Sequence, residues 1–331
     1  MMYTSICPVC GSNPFTTINK KIYPDNYDGL QRKVAFEYFK LNKQIVPKES
    51  IAFCTGCRAI YRAHFFDQRE IEQIYSSLYR LLEDSIYSDT RFAYNNQAFL
   101  DGCSQKMYNI VKEIENRFQT QIRDIFDIGG RDGFRLKDLA NEGYKCKVFD
   151  PIDCEVCNPL ISKEPLWSEQ IGKDEKADFI FLCNVLEHCI DPHSIIMDCH
   201  EHLREGGFLY VELPSDIETV LDWMLFGIWR KKNLSVDNTH YVFYSRKAIS
   251  LLLESFKFKG VRIEYSILPV INTNVLEVIG RKESAGTKTS PYLSLDFDLL
   301  SSGYFLRLLP RIVKKVKMSL SAYFNHDRQL R

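Results

Sequence analysis

The sequence predicts an α/β fold built on a doubly wound, mostly parallel sheet, with a small amino-terminal domain and a carboxyl-terminal helical tail. From Ile125 onward, apolar stretches of strand length alternate with segments of helical periodicity, as in a parallel sheet with helices on both faces. Ala177–Leu182 is almost continuously apolar, as expected for a central strand covered on both sides. Two separate pairs of cysteines near the amino terminus predict the small domain.

The overall composition is that of an ordinary globular protein without a strong net charge. The chain has 331 residues, of which 45% are hydrophobic and 26% are charged, enough for one large domain with smaller additions. Its 43 basic and 43 acidic side chains give a formal net charge of zero. This balance argues against an overall electrostatic attraction to nucleic acid and leaves a local basic patch as the remaining route to such binding.

Two features missing from the sequence predict a cytoplasmic protein. The amino terminus lacks the basic, apolar and small-residue order of a signal peptide, and no apolar run is long enough to span a bilayer. In a reducing cytoplasm, paired cysteines bind metal more often than they form disulfides. The eleven cysteines are therefore interpreted as thiols and metal ligands.

Two short cysteine motifs predict a zinc site. Cys7 and Cys10 form one pair and Cys54 and Cys57 the other, and the spacing within each pair places both thiolates on one tight turn. Four such thiolates can bind a structural Zn²⁺ ion in tetrahedral geometry. The long interval between the pairs indicates an insertion over residues 21–48. The alternative is a set of reduced, partly exposed cysteines without metal.

The same patterns divide the chain into four segments. Helical spacing of apolar residues recurs between the second cysteine pair and the first strand of the sheet. After the sheet, a linker-like run precedes a basic amphipathic segment. The predicted divisions are residues 1–62 for a zinc-ribbon-like domain, 63–120 for a helical linker or cap, 121–282 for the sheet domain, and 283–331 for the linker and tail.

A glycine-rich turn follows the first predicted strand and precedes a helix. Gly129, Gly130 and Gly133 let a ligand approach the backbone closely. Dinucleotide-binding oxidoreductases and adenosyl-group binders both have such a turn, and both predict an acidic residue after the second strand, here Asp150. Asp127 favours the second class. Its carboxylate would repel a pyrophosphate but can pair with the amino group and the sulfonium of S-adenosylmethionine.

Four motifs in a fixed order resemble those of class I S-adenosylmethionine-dependent methyltransferases. The motifs are Asp127–Gly133, Asp150, Ala177–His188 with the Asp-Pro that follows it, and Leu203–Pro214. The resemblance covers about residues 100–282. It implies a seven-stranded, Rossmann-like methyltransferase sheet that closes with an antiparallel hairpin.

The resemblance also implies which residues bind the cofactor, S-adenosylmethionine. The implied residues are Asp127, Gly129, Gly130, Gly133, Asp150 and Asn184. One position departs from the family pattern, because Arg131 stands where the family has its middle glycine. Arg131 would then need a left-handed backbone conformation, which Arg tolerates less well than Gly or Asn.

Two histidines are the candidate catalytic residues. A hydroxyl or carbon acceptor must lose a proton during methyl transfer, and a histidine can take it. His188 follows the fourth strand, close to the expected methyl group. His240 lies in a segment that resembles the Glu-His-x-x-Phe-Phe-Ser segment of relatives, including sugar methyltransferases with a four-cysteine zinc domain. Thr239 replaces that Glu, which leaves His240 alone as a base or as an acceptor-orienting group. Hydrogen bonding to a backbone carbonyl is the structural alternative for both histidines.

The resemblance implies a small-molecule acceptor, with a nucleotide sugar of surface-polysaccharide synthesis preferred. The apolar insertion Asp216–Asn233 predicts a lid over the acceptor, and its basic run Arg230–Lys232 suits either a phosphate-bearing acceptor or a solvated helix end. A zinc-containing RNA methyltransferase is one alternative, although it would need a basic face. A non-catalytic binding module that keeps the fold is another, motivated by Arg131 and Thr239.

The tail has two interpretations. Tyr304–Phe324 mixes apolar and basic residues in an amphipathic pattern that Pro310 interrupts. The preferred interpretation is a helix packed on the body or in an oligomer interface. The second is peripheral contact with a membrane surface.

Overall fold

The structure of the protein is a computed structural model that describes parts of the chain between residues 2 and 283. The described residues are 2–3, 6–13, 16–21, 48–65, 67, 69–70, 96–165, 175–217, 220, 240–268 and 274–283. The strands, in chain order, are β1 (Met2–Tyr3), β2 (Thr16–Lys21), β3 (Lys48–Phe53), β4 (Ile60–Arg62), β5 (His64–Phe65), β6 (Asp124–Ile128), β7 (Lys145–Phe149), β8 (Ile161–Glu164), β9 (Ala177–Cys183), β10 (Leu203–Pro214), β11 (Val242–Phe243), β12 (Phe258–Ile267) and β13 (Asn274–Lys282). The α-helices are α1 (Gln97–Phe118), α2 (Lys137–Asn141), α3 (Pro192–His202) and α4 (Arg246–Ser255), and 3₁₀ turns cover Phe134–Leu136 and Leu186–His188.

Seven strands form one mixed sheet in the order β8-β7-β6-β9-β10-β13-β12. The strands from β8 to β10 in this order are parallel neighbours, whereas β13 is antiparallel to both β10 and β12. This arrangement confirms the predicted seven-stranded sheet and its closing antiparallel hairpin. The carboxyl ends of β6, β7, β9 and β10 lie along one edge, where ligands bind in open α/β sheets.

The central strand β9 is apolar because helices cover both of its faces. Phe179 and Phe181 belong to a buried cluster with residues of α1, including Met107. Ile180 and Leu182, which point to the opposite face, belong to a cluster with residues of α3 and α4. Alternate side chains of one strand therefore stabilise the two helical layers, as the continuous apolar pattern predicts.

Three of the four described α-helices begin at a residue whose side chain caps them. The Oδ1 of Asn96 accepts the N–H of Phe99 at the start of α1, and the Oγ of Ser245 accepts the N–H of Ala248 at the start of α4. Asp191 caps α3, whose first residue is Pro192. Helix α1 occupies the second half of the predicted helical segment. The first half, residues 71–95, lies outside the described residues.

A second sheet joins the cysteine-bearing segment to β11, which follows the apolar insertion Asp216–Asn233. Its antiparallel strands have the order β11-β4-β3-β2. Val242 pairs with Tyr61, and Phe243 pairs with Ile60. The sheet packs in a buried cluster of Ile51, Ile60, Ile217, Val220 and Phe243. Ile217 and Val220, at the start of the insertion Asp216–Asn233, therefore pack on the amino-terminal sheet.

Several predicted features lie outside the described residues. They are the insertion after β2, most of the predicted lid with Arg230–Lys232 and Thr239, and the tail 284–331. Among the helices that the structure does describe, none has both the length and the apolar character needed to cross a membrane.

Candidate functional site

The four predicted metal ligands come together at one point. Cys7, Cys10, Cys54 and Cys57 place their sulfur atoms within 4.8 Å of one another. The Sγ atoms of Cys7 and Cys57 are 3.6 Å apart, and those of Cys10 and Cys54 are 3.4 Å apart. Tetrahedral coordination with Zn–S bonds of about 2.3 Å requires sulfur separations of about 3.8 Å. The donor set and its spacing therefore fit Zn²⁺ after a small expansion.

Both cysteine turns are closed by backbone hydrogen bonds and left-handed residues. The N–H of Gly11 donates to the carbonyl of Cys7, and the N–H of Arg58 donates to that of Cys54. Gly11 and Arg58 have φ angles of 70° and 64°. Hydrogen bonding with Cys57 lowers the pKa of the Cys7 thiol to about 5, and the same contact raises the pKa of Cys57. Cys7 is therefore the thiol of this pair that favours the thiolate, the form that binds a metal cation.

The glycine-rich turn after β6 has the backbone conformation that the sequence predicts. Gly129 and Gly133 have φ angles of 71° and 80°. A Cβ at Gly129 would lie 2.5 Å from Cγ2 of Val185. Arg131 is also left-handed, with a φ of 55°, and its N–H donates to Oδ2 of Asp150 over 2.8 Å. This hydrogen bond helps to hold the conformation that Arg adopts less readily than Gly.

Asp127 places a buried carboxylate beside this turn. The residue is 0% exposed, and neither of its carboxylate oxygens has a hydrogen-bond partner among the described residues. Burial raises the pKa of Asp127 to about 7, against an opposing effect of the Arg135 guanidinium. A Cβ at Gly130 would approach Oδ2 of Asp127 to 2.5 Å, so glycine leaves room for the carboxylate. The amino group of S-adenosylmethionine fits this acceptor, because a buried carboxylate needs a donor.

Two more predicted cofactor residues, Asp150 and Asn184, follow the strands on either side of β6, which are β7 and β9. The two carboxylate oxygens of Asp150 accept N–H groups from Arg131 and Ile152, each over 2.8 Å. Each oxygen can accept a second hydrogen bond, for example from a ribose hydroxyl. Asn184 has a φ of 55°, and its Nδ2 donates to Oε1 of Glu212 over 3.3 Å. Asp127, Asp150 and Asn184 thus share the carboxyl edge of three neighbouring strands.

The sequence did not reveal a buried charge network next to Asn184. The Nζ of Lys106 lies 2.7 Å from Oε2 of Glu212 and 2.7 Å from Oε1 of Glu277. The hydroxyl of Tyr210 donates to the same Oε2 over 3.1 Å. The available signal was a glutamate inside an apolar run in each of two strands, Phe208–Leu213 in β10 and Val275–Ile279 in β13, because a buried charge requires a partner. Through Glu212, this network supports the position of Asn184.

The two candidate catalytic histidines are neighbours. The ring centroids of His188 and His240 are 4.7 Å apart in a T-shaped arrangement. The Nδ1 of His240 is 2.7 Å from Oδ2 of Asp216, and the Nε2 of His188 is 3.8 Å from Oε1 of Glu187. The structure therefore brings both histidines together and adds a carboxylate partner, Asp216, that the sequence analysis did not assign.

The histidine pair adjoins the glycine-rich turn. Val185, whose side chain packs over Gly129, directly precedes the 3₁₀ turn Leu186–His188. One short segment after β9 therefore contacts the cofactor turn and carries His188. This places the histidine pair at the same end of the sheet as Asp127.

Arg62 of the amino-terminal sheet holds the backbone around His240. Its Nε donates to the carbonyl of His240 over 2.8 Å, and its N–H donates to the carbonyl of Tyr241 over 3.0 Å. The N–H of Tyr241 in turn donates to the carbonyl of Glu187 over 2.7 Å. The segment is therefore hydrogen-bonded on one side to the cysteine-bearing domain and on the other to the turn that carries His188.

A comparison with protein families identifies the sheet domain. Residues 100–263 match the model of a family described as a methyltransferase domain. The matched range contains the strands β6 to β11, the glycine-rich turn and the histidine pair. The four cysteines of the predicted zinc site precede the matched range.

Curated relatives match only part of the chain. A tRNA U34 carboxymethyltransferase of Vibrio campbellii is 29% identical over 156 residues, and one of Vibrio vulnificus is 28% identical over 156 residues. Each alignment covers 43% of this chain and 46% of the relative. The chain thus spans about half the length of the curated relatives it matches.

Solved methyltransferase structures resemble the chain at low sequence identity. The 1,6-didemethyltoxoflavin-N1-methyltransferase of Burkholderia thailandensis has a TM-score of 0.47 and 13% identity, covering 71% of this chain and 96% of that one. The magnesium protoporphyrin IX methyltransferase of Synechocystis PCC 6803 has a TM-score of 0.47 and 13% identity, covering 64% and 100%. The family match shows a methyltransferase domain over residues 100–263, and the order of the seven strands is that of the class I methyltransferase fold.

Proposed function

We propose that the protein transfers the methyl group of S-adenosylmethionine to a small-molecule acceptor, preferably a nucleotide sugar. The observation that carries the proposal is the buried carboxylate of Asp127, which the turn at Gly130 leaves space to accommodate. A carboxylate in such a site costs free energy unless a charged donor compensates it. The amino group of the cofactor is such a donor. The need of the Asp127 carboxylate for a donor therefore supports the proposal that S-adenosylmethionine binds here.

The remaining cofactor contacts follow from the strand ends. Asp150 would accept hydrogen bonds from the ribose hydroxyls, as an acidic residue after the second strand does in nucleotide-binding sheets. Asn184, held by Glu212, would border the cofactor from β9. When bound, the cofactor supplies a methyl group made electrophilic by its sulfonium. Gly129 lets the turn pack closely against Val185, and Gly133 lets it pack closely against Val148 and Ile161.

His240 is the proposed proton acceptor. Asp216 accepts the Nδ1–H of His240, so that Nε2 carries the lone pair and the imidazolium is stabilised once it forms. As the acceptor atom bonds to the methyl group, its proton would move to Nε2. His188, in ring contact with His240, would orient the acceptor. Asp216 thereby provides the carboxylate that the resemblance placed at the position of Thr239.

We also propose that Cys7, Cys10, Cys54 and Cys57 bind one structural Zn²⁺ ion. The ion would fix the two turns that frame the amino-terminal sheet. Because this sheet holds the backbone at His240 through Arg62, the zinc site would support the catalytic segment without touching the reacting atoms.

Methylation of tRNA is the second candidate, because the curated relatives are named tRNA U34 carboxymethyltransferases. The similarity to these enzymes covers 43% of the chain. The equal numbers of acidic and basic residues supply no overall attraction to a phosphate backbone. We therefore prefer the small-molecule acceptor and treat tRNA as an arm of the assay.

Two measurements test the proposal in sequence. Calorimetry with S-adenosylhomocysteine, with NAD as the comparison, tests the cofactor; Asp127→Ala should weaken binding, and the exposed Asp153→Ala should not. Methyl transfer from labelled S-adenosylmethionine is then measured with a panel of nucleotide sugars and with unmodified tRNA. Incorporation of the labelled methyl group into a nucleotide sugar supports the proposal. Incorporation into tRNA alone would show that tRNA, and not a small molecule, is the acceptor. Failure to bind S-adenosylhomocysteine would favour the non-catalytic binding module.

A further inference from the structure

The histidine pair is part of a second group of metal-ligand side chains, distinct from the cysteines. Glu187, His188 and His240 each place one ligand atom within 4.8 Å of the others. The carboxylate of Glu187 is buried, with 2% of its side chain exposed, while the two rings are partly accessible at 20% and 12%. A small cation can therefore reach the group from the histidine side and meet a buried negative charge.

The donor set has the chemistry of a catalytic metal site. Two imidazoles and one carboxylate suit divalent first-row metals, and three protein ligands leave coordination positions open. Tetrahedral bonds of about 2.0–2.2 Å place ligand atoms about 3.3–3.6 Å apart, so ligand atoms that lie within 4.8 Å of one another must approach by up to about 1.5 Å to share an ion. The group comes from two segments that Tyr241 links by its hydrogen bond to the Glu187 carbonyl, so its members are held in place together.

Asp216 gives His240 the environment of a metal-bound histidine. Histidines that bind metal donate their other ring N–H to a carboxylate, which fixes the tautomer and raises the basicity of the ligand nitrogen. The 2.7 Å contact between Nδ1 of His240 and Oδ2 of Asp216 has this form. Because Nδ1 carries the proton donated to Asp216, Nε2 is the ring nitrogen of His240 whose lone pair can bind an ion.

We propose that Glu187, His188 and His240 bind a divalent cation, with Asp216 orienting His240. Binding of the ion stands apart from the proposed function, whereas its role in the reaction rests on it. An acceptor hydroxyl would occupy an open position on the ion, which lowers the hydroxyl pKa. Its O–H proton would pass to water, the new O–CH₃ bond would form, and the S–CH₃ bond of the cofactor would break. Nε2 of His240 cannot bind the ion and accept a proton at the same time. In the metal-bound state water therefore takes the proton, and this replaces the proton transfer to His240 described under the proposed function.

Counting two metals separately tests the site in the full chain. Zinc-loaded protein is dialysed against Mn²⁺, and bound zinc and manganese are measured by elemental analysis. Mn²⁺ is the appropriate probe because it prefers oxygen ligands such as carboxylates to the thiolates that hold zinc. We expect one Mn²⁺ per chain in addition to the zinc. A wild-type protein that binds no Mn²⁺ at millimolar concentration overturns the proposal.

Variants locate the bound ion. His188→Ala and His240→Ala should weaken Mn²⁺ binding by at least about tenfold. Asp216→Asn should weaken it by about 10–100-fold, as does the loss of other carboxylates that hydrogen-bond a metal-bound histidine. His200→Gln on α3 and Cys157→Ser serve as controls and should bind Mn²⁺ like the wild type. Thermal unfolding checks that every variant is folded. Unchanged Mn²⁺ binding in folded His188→Ala and His240→Ala would assign the ion elsewhere and refute the site.

A separate readout distinguishes this inference from the proposed function. Calorimetry with S-adenosylhomocysteine should give the same affinity for His188→Ala as for the wild type, since the group is not assigned to cofactor binding. Mn²⁺ binding without cofactor binding would refute the proposed function and leave the metal site standing. Cofactor binding and methyl transfer without any Mn²⁺ binding would refute the metal site and leave the proposed function standing.

Discussion

The Oδ2 of Asp216 lies 2.7 Å from the Nδ1 of His240, although 24 positions separate the two residues in the sequence. In the related segment that the sequence resembles, a Glu directly precedes the histidine, and here that position is Thr239. The sequence therefore suggested a histidine without a carboxylate. The contact with Asp216 restores a carboxylate–histidine pair from a different part of the chain.

Asp216→Asn should reduce the rate of methyl transfer by about 10²-fold or more. Asparagine can present its N–H₂ to Nδ1 and favour the wrong tautomer of His240, which leaves no lone pair on Nε2. The measurement is kcat with labelled S-adenosylmethionine, together with the affinity for S-adenosylhomocysteine, which should not change. Asp101→Asn, which alters an exposed ion pair with Lys137, is the control. Equal rates in the two variants would contradict the role of His240 as the proton acceptor.

Asp127→Asn should stabilise the ligand-free protein at pH 8. Burial raises the pKa of Asp127 from 3.8 to about 7, so the folded state keeps a proton that the unfolded state releases. The free energy of unfolding therefore falls as pH rises through this window, and the full cost is present above about pH 7. Removing the charge should recover about 2–4 kcal/mol at pH 8. Denaturant unfolding measures it, with the exposed Asp153→Asn expected to stay within about 0.5 kcal/mol of the wild type.

Cofactor affinity should rise with pH between 6 and 8. Asp127 must be ionised to pair with the amino group of the cofactor, and its pKa is about 7 before the cofactor binds. The ionised fraction grows from about one-tenth to about nine-tenths over this range, which corresponds to an affinity gain of about tenfold. Titration calorimetry with S-adenosylhomocysteine at several pH values measures the gain. Asp127→Asn should bind more weakly and lose the pH dependence, and a steep dependence retained in that variant would contradict this assignment.

Cys7→Ser or Cys54→Ser should release zinc and lower the melting temperature by about 5 °C or more. Loss of the ion would loosen the turns beside β4, whose Arg62 holds the His240 backbone. Methyl transfer should therefore fall more than cofactor affinity. Cys157→Ser, at an exposed cysteine outside the cluster, is the control and should retain full zinc content. Retention of one zinc per chain in both cluster variants would argue against the four-thiolate site.

Gly129→Ala should destabilise the protein more than Gly143→Ala. Both glycines have positive φ, 71° and 88°, so both substitutions carry the left-handed penalty of about 1–2 kcal/mol. Only at Gly129 does the added Cβ meet a neighbour, Cγ2 of Val185 at 2.5 Å, whereas nothing lies within 4 Å at Gly143. Overpacking should add about 1–3 kcal/mol. Adding Val185→Ala should recover part of the extra loss, and equal losses at the two glycines would show that the turn can move.

The sequence by itself determined the features whose signals are local. The apolar run of β9, the alternation of strands and helices, and the glycine-rich turn each depend on neighbouring residues, so periodicity and turn chemistry predict them. The left-handed conformation at Arg131 follows from its place in that turn and is confirmed by its φ of 55°. The two cysteine turns also have local spacing, and the structure places all four sulfurs together.

Only the tertiary structure decided which distant side chains meet. Asp216 reaches His240, Arg62 of the amino-terminal sheet holds the backbone of His240, and Lys106 lies between two glutamates on separate strands. None of these contacts has a periodic or spaced pattern, because the partners come from distant parts of the sequence that become neighbours only when the chain folds. Their strength also depends on burial, which removes water as a competitor for the charged and polar groups.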